Sequence, residues 1–110
     1  MNDELLDELM RKSNELSQSL KKLRSNGQEL AEARQTYEIK KSEEIMRMKD
    51  NGESITYILG VINGLPSVAK LRFKKDVAEA IYNANQEAIN VLKLQTKLIE
   101  SQISREWNNG

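Results

Sequence analysis

The single proline of the chain, Pro66, sits just after three of its five glycines, Gly52, Gly60 and Gly64. Long helix-favouring, charge-rich stretches lie on either side. From Asp3 to about Asp50 there is no proline and one glycine, Gly27, and from Pro66 to Trp107 nothing breaks a helical pattern. Proline and glycine are the residues that helix interiors tolerate least, so concentrating them in one place divides the chain into two long helices and a connector. The expected fold is all-α and one domain over 1–110: a long helix over 3–50, a connector with a short helix over 51–65, a long helix over 66–107 and a frayed tail over 108–110. At 1.5 Å per residue the two long helices would measure ~70 Å and ~60 Å, close enough in length to lie antiparallel as a coiled-coil hairpin.

The first stretch carries Leu9, Leu16, Leu23 and Leu30 seven residues apart, with Tyr37 in the next slot. Leucines at that spacing drift only ~20° per repeat on a straight helix, so they form one slowly winding stripe that needs a partner helix. The intervening heptad slots read Leu6, Ser13, Leu20, Gly27, Arg34, Lys41 and Met48. With only three of them apolar, the seam suits a bundle within one chain better than a free-standing parallel zipper. Ser25-Asn26-Gly27 reads as a turn, and Asn26 with Glu29 as a capping box. Against a break, the leucine phase runs on from Leu23 to Leu30, and a helical glycine costs only about 1 kcal/mol relative to alanine. The spacing favours a continuous helix; a corner at Gly27, giving a three-helix bundle, is the alternative.

Asn51-Gly52 ends the first helix, because glycine readily takes the left-handed conformation past a helix C-terminus. The β-branched run Ser54 to Gly64 has no second strand to pair with, so a lone strand there would strand its backbone groups. A short helix capped by Ser54 and stopped by Gly64 accounts for it better, with Ile55, Ile58, Leu59 and Ile62 on one face. Pro66 fits the first turn of the last helix, where its missing N–H is not needed. At the other end, Asn2 or Asp3 can cap the first helix, and Asp3, Glu4, Asp7 and Glu8 lie where its N-terminus favours negative charge. In the last helix Ile81, Ile89, Leu92, Ile99 and Ile103 form the main stripe, widened by Val77, Ala84, Ala88, Val91 and Leu98. That arc is broader than one neighbouring helix requires, which points to a second neighbour and to association into a larger bundle. Tyr57, Phe73 and Tyr82 are expected to form one aromatic-rich core layer near the turn.

Chemistry is poorly represented. The chain has no cysteine and no histidine, which removes disulfides, thiolate sites, and the commonest general base and metal ligand. No phosphate-binding loop or dinucleotide fingerprint is present. Glu43 with Glu44, or Glu4 with Glu8, read as solvated faces and i,i+4 ion pairs rather than catalytic pairs. No cofactor, metal or small-molecule substrate is expected, and the chain does not read as an enzyme. Lys and Arg number 17, as do Asp and Glu, so the formal charge is zero and no surface-wide nucleic-acid footprint exists. The local exception is Lys70, Arg72, Lys74 and Lys75 beside Phe73, a candidate contact for nucleic acid or a partner, although a solvated helix face is the favoured account of it. Trp107 ends the apolar stripe, where it reads as an anchor on the facing helix or as an exposed partner contact. No apolar run approaches the ~20 residues that span a bilayer, and the acidic start is the reverse of a signal peptide. A cytoplasmic protein is expected.

Gly52-Glu-Ser-Ile-Thr, Gly64-Leu-Pro-Ser-Val-Ala-Lys-Leu-Arg-Phe, Val77-Ala-Glu-Ala and Leu98-Ile-Glu-Ser-Gln-Ile-Ser-Arg-Glu-Trp together resemble small helical proteins of Gram-positive phages and prophages. The resemblance covers about the second half of the chain. It implies an accessory role in a bacterial host cell, beside replication and recombination functions, and carries no catalytic residues. The function expected is therefore a non-catalytic helical interaction protein that self-associates and binds a protein partner. A nucleic-acid-binding accessory using the basic cluster is the alternative, and inhibition of a host enzyme would belong to the same class as the first reading.

Overall fold

The computed structural model describes residues 3–109. Helix α1 spans Asp3–Asp50, α2 spans Ile55–Val61, a 3-10 turn covers Ile62–Gly64, and α3 spans Pro66–Asn109. The fold is all-α, and no strand occurs among the described residues. Asn2, a possible cap by sequence, and Gly110 of the expected tail lie outside the described residues; α3 itself continues two residues past Trp107.

Helix α1 runs through Gly27 without a break, which removes the three-helix corner. A Cβ placed on Gly27 would lie 3.4 Å from Cε2 of Tyr82, an ordinary van der Waals distance. The glycine is therefore a cost that the helix absorbs, and no close approach demands it. Gly52 is different. Its φ of 84° is left-handed, its N–H donates to the Lys49 carbonyl at 2.9 Å, and the Glu53 N–H reaches back to Met48 at 3.1 Å. That pair of bonds is a Schellman motif, which satisfies carbonyls that the end of α1 would otherwise leave open.

Ser54 caps α2 as its sequence predicts, its Oγ accepting from the Tyr57 N–H at 3.2 Å. Pro66 opens α3, and the Val68 and Ala69 N–H groups both donate to the Leu65 carbonyl. These local bonds reverse the chain between the long helices.

Packing divides the chain into two units. The connector unit is Asn26–Tyr82, and the terminal unit joins the described parts of Met1–Ser25 and Asn83–Gly110. In each, a stretch of α1 pairs antiparallel with a stretch of α3. In the connector unit Gly27 lies by Tyr82, Arg34 is 3.8 Å from Glu79, and Lys75 stands over Tyr37. In the terminal unit the Asn85 amide donates to the Ser19 carbonyl at 3.2 Å, while Leu5 and Lys12 line one groove with Gln95 and Gln102.

The connector unit holds the best core. Ile58, Ile62 and Val68 are essentially inaccessible, and Tyr37 and Met48 close over them with Ile45, Val61, Leu65 and Leu71 around the edge. Two expectations need correction here. Of the four residues expected on one face, only Ile58 on α2 and Ile62 at the start of the 3-10 turn face the core, while Ile55 and Leu59 are 48% and 58% exposed, because a short helical segment against one surface buries a single i,i+4 row. The expected aromatic layer does not form. Tyr57 and Phe73 are more than half exposed and Tyr82 is half-buried, so the aromatic ring that the core buries is Tyr37.

Two pairs of substitutions test this account by chemical denaturation. Gly27→Ala is expected to stabilise the chain by up to about 1 kcal/mol, since the helix gains and the space exists, whereas Gly52→Ala should destabilise it by a similar amount through its left-handed φ. Ile58→Ala should cost about 2–5 kcal/mol, and Leu59→Ala, one residue on, no more than about 0.5 kcal/mol.

Candidate interaction surface

The leucine ladder faces inward throughout. Leu9, Leu16 and Leu23 are half-buried in the terminal unit, and Leu30 and Tyr37 are buried in the connector unit. Cover extends to both sides of the ladder. Leu5, Lys12, Ser19, Asn26, Ala33 and Lys40, three residues after a ladder slot or four before the next, are partly covered. Of the expected companions, Met48 is buried and Leu6, Gly27 and Lys41 are half-buried, whereas Ser13, Leu20 and Arg34 are exposed. Small side chains at Ser19 and Ala33 let a neighbouring helix approach. Lys12 lays its methylenes along the seam and extends its ammonium to Glu15 at 3.7 Å.

On α3 the stripe separates into two. Ile89 and Leu92 are buried and Ile99 and Ile103 half-buried, so these four pack as expected. Ile81 does not: it is 47% exposed. The residues that widen the arc, Val77, Ala84, Ala88, Val91 and Leu98, are likewise exposed. The reason is geometric, since the two rows are one residue, about 100°, apart and a single neighbouring helix covers one of them. Trp107 is 66% exposed, which rules out its role as an anchor packed on α1.

The basic cluster does not converge. Lys70 and Lys74 share one face a turn apart, while Arg72 projects about 160° away around α3. Lys75 turns inward, its ammonium 5.2 Å from the centre of the Tyr37 ring and 3.2 Å from Asp76. Lys41 approaches the same ring at 5.6 Å. The Tyr37 hydroxyl donates to Oδ1 of Asn63 at 2.6 Å, tying α1 to the 3-10 turn. This node was only half visible in the sequence. The heptad placed Tyr37 in the seam, but Asn63 beside Gly64 carried the look of an ordinary turn residue.

Four of the carboxylates on α1, Glu8, Glu15, Glu43 and Glu44, form ion pairs within the helix. Glu44 accepts from Nε of Arg47 at 2.8 Å and lies 3.6 Å from Lys40, which also approaches Glu43 at 3.7 Å. The Arg47 bond, reinforced by the two cations, lowers the Glu44 pKa below its ordinary value of 4.5. A lowered pKa is the wrong direction for a general acid. Glu8 pairs with Arg11, which raises the arginine further. Among the described residues no group of three or more carboxylates is placed to hold a metal ion, and no helix is long and apolar enough to cross a membrane.

Comparison with protein-family models, with curated proteins and with solved structures gives no match.

Because its folded-state pKa is depressed, Glu44 contributes stability that is present above its unfolded value and lost as pH falls through the lowered one. A carboxyl NMR titration should place its midpoint below 4.5, and Arg47→Gln should move that midpoint upward.

Proposed function

We propose that this chain is a non-catalytic helical interaction protein that self-associates and binds a protein partner. One observation carries the reading. Among the described residues fourteen large hydrophobic side chains are exposed and eight are buried. Exposed apolar side chains that lie together mark contact surface, and Val91, Leu94 and Leu98 lie together on one stretch of α3.

The paired, shallowly exposed carboxylates give acid–base chemistry little support, and the divergence of Lys70, Arg72, Lys74 and Lys75 weakens the case for a phosphate-tracking stripe. The sequence resemblance sets the interaction role in the cytoplasm of a bacterial host, as a phage or prophage accessory factor. Light scattering across a wide concentration range should give a mass that rises above 12.6 kDa, with a melting temperature that climbs with concentration. A species fixed at the single-chain mass, melting at one temperature throughout, would overturn self-association.

A further inference from the structure

The formal charge of zero conceals a separation of signs along the chain. The first ten residues hold four acids and no base, and Ser54 to Lys75 hold four bases and no acid. The first segment leads into α1 in the terminal unit, and the second leads into α3 in the connector unit. In each, one exposed helix row carries part of the excess. On α1 the row is Asp3, Asp7 and Met10, at steps of four and three residues; on α3 it is Lys70, Lys74 and Val77, at the same steps. All six are exposed, Met10 to 65% and Val77 to 40%. Among the described residues, Asp3, Asp7, Lys70 and Lys74 have no ion pair within the chain. Their neighbours of opposite sign are already engaged, Arg11 with Glu8, Asp76 with Lys75 and Glu79 with Arg34.

We infer that the row Lys70, Lys74 and Val77 is a docking surface for the start of α1 of a second copy, with Lys70 facing Asp3, Lys74 facing Asp7 and Val77 facing Met10. The inference rests on the self-association proposed above and names a surface for it. Steps of four and three residues are the spacing at which parallel helices meet, like position against like position. That alignment sets both cations on carboxylates and the two apolar side chains on each other. Run antiparallel, the charges still pair, but Met10 then meets Ser67 and loses its apolar partner. A phosphate backbone would answer the lysines and leave Val77 uncovered.

The symmetry of a dimer permits this contact. In each unit α1 and α3 run antiparallel, so a second copy turned end for end sets its α3 parallel to α1 of the first. A two-fold axis then generates the contact twice, once from each start of α1. Exposed ion pairs are individually weak and are screened by salt, so the dimer is reversible and salt dissociates it.

Charge exchange tests the pairing by sedimentation at low salt. Lys70→Glu with Lys74→Glu in one variant, and Asp3→Lys with Asp7→Lys in another, should each weaken dimerisation by about tenfold or more, because each brings like charges together. An equal mixture of the two restores both contacts with their signs exchanged and should recover the association of the unaltered chain. Helical circular dichroism should be unchanged in both, since all four sites are exposed. The chain has no cysteine, so single-cysteine variants report the register through a short thiol-to-thiol crosslinker. Met10→Cys should link to Val77→Cys in preference to Ser67→Cys. A chain that dimerises while the charge-exchanged mixture associates no better than its components would overturn this contact and leave self-association standing, as would preferential linkage to Ser67→Cys. A chain that is monomeric at every concentration would overturn both.

Discussion

The structure depends on a small buried cluster where the chain reverses. A seven-residue helix such as α2 has no stability of its own, because nucleating a helix costs more than two turns return. It persists because Ile58 and Ile62 are driven out of water onto Val68, under Tyr37 and Met48. The part-buried Tyr37 hydroxyl bond to Asn63 then ties the 3-10 turn to α1. Removing that cluster would leave two long helices with no reason to turn back on each other, since the seam elsewhere is partly polar. The order of dependence runs from this cluster to the antiparallel pairing, and from the pairing to the row of α3 left facing outward.

Local signals were legible in the sequence because each is decided within a few residues. Ser54 capping α2, Gly52 in left-handed conformation after α1, and Pro66 at the start of α3 all follow from backbone chemistry that needs no distant partner. Continuity through Gly27 was legible for a related reason. An unbroken leucine phase carries information that a turn would have destroyed.

What the sequence withheld concerns which part of an apolar arc meets a neighbour. The ladder of α1 is fixed by period, but leucines at seven-residue spacing are equally compatible with companions three or four residues on. Cover includes Lys12, Ser19 and Ala33, whose small size or long methylene stems permit a close seam, and composition alone does not rank these above Leu20. On α3 the rows through Ile89 and through Ala88 are adjacent and both apolar, and only one faces α1. Tyr57, Phe73 and Trp107 were misplaced for the same reason: an aromatic ring has a strong preference for burial but no way to state which surface will supply it.

The proposed interaction role rests on these displaced hydrophobics. The sequence has neither cysteine nor histidine, and on α1 Glu8, Glu15, Glu43 and Glu44 are held in i,i+3 and i,i+4 ion pairs. Exposed apolar side chains tend to drive uncontrolled association, and a protein that keeps them must restrict how they are met. The heptad spacing of α1 turns its leucines inward to close the chain on itself, while on α3 the adjacent row through Ala88, Val91 and Leu98 is left exposed.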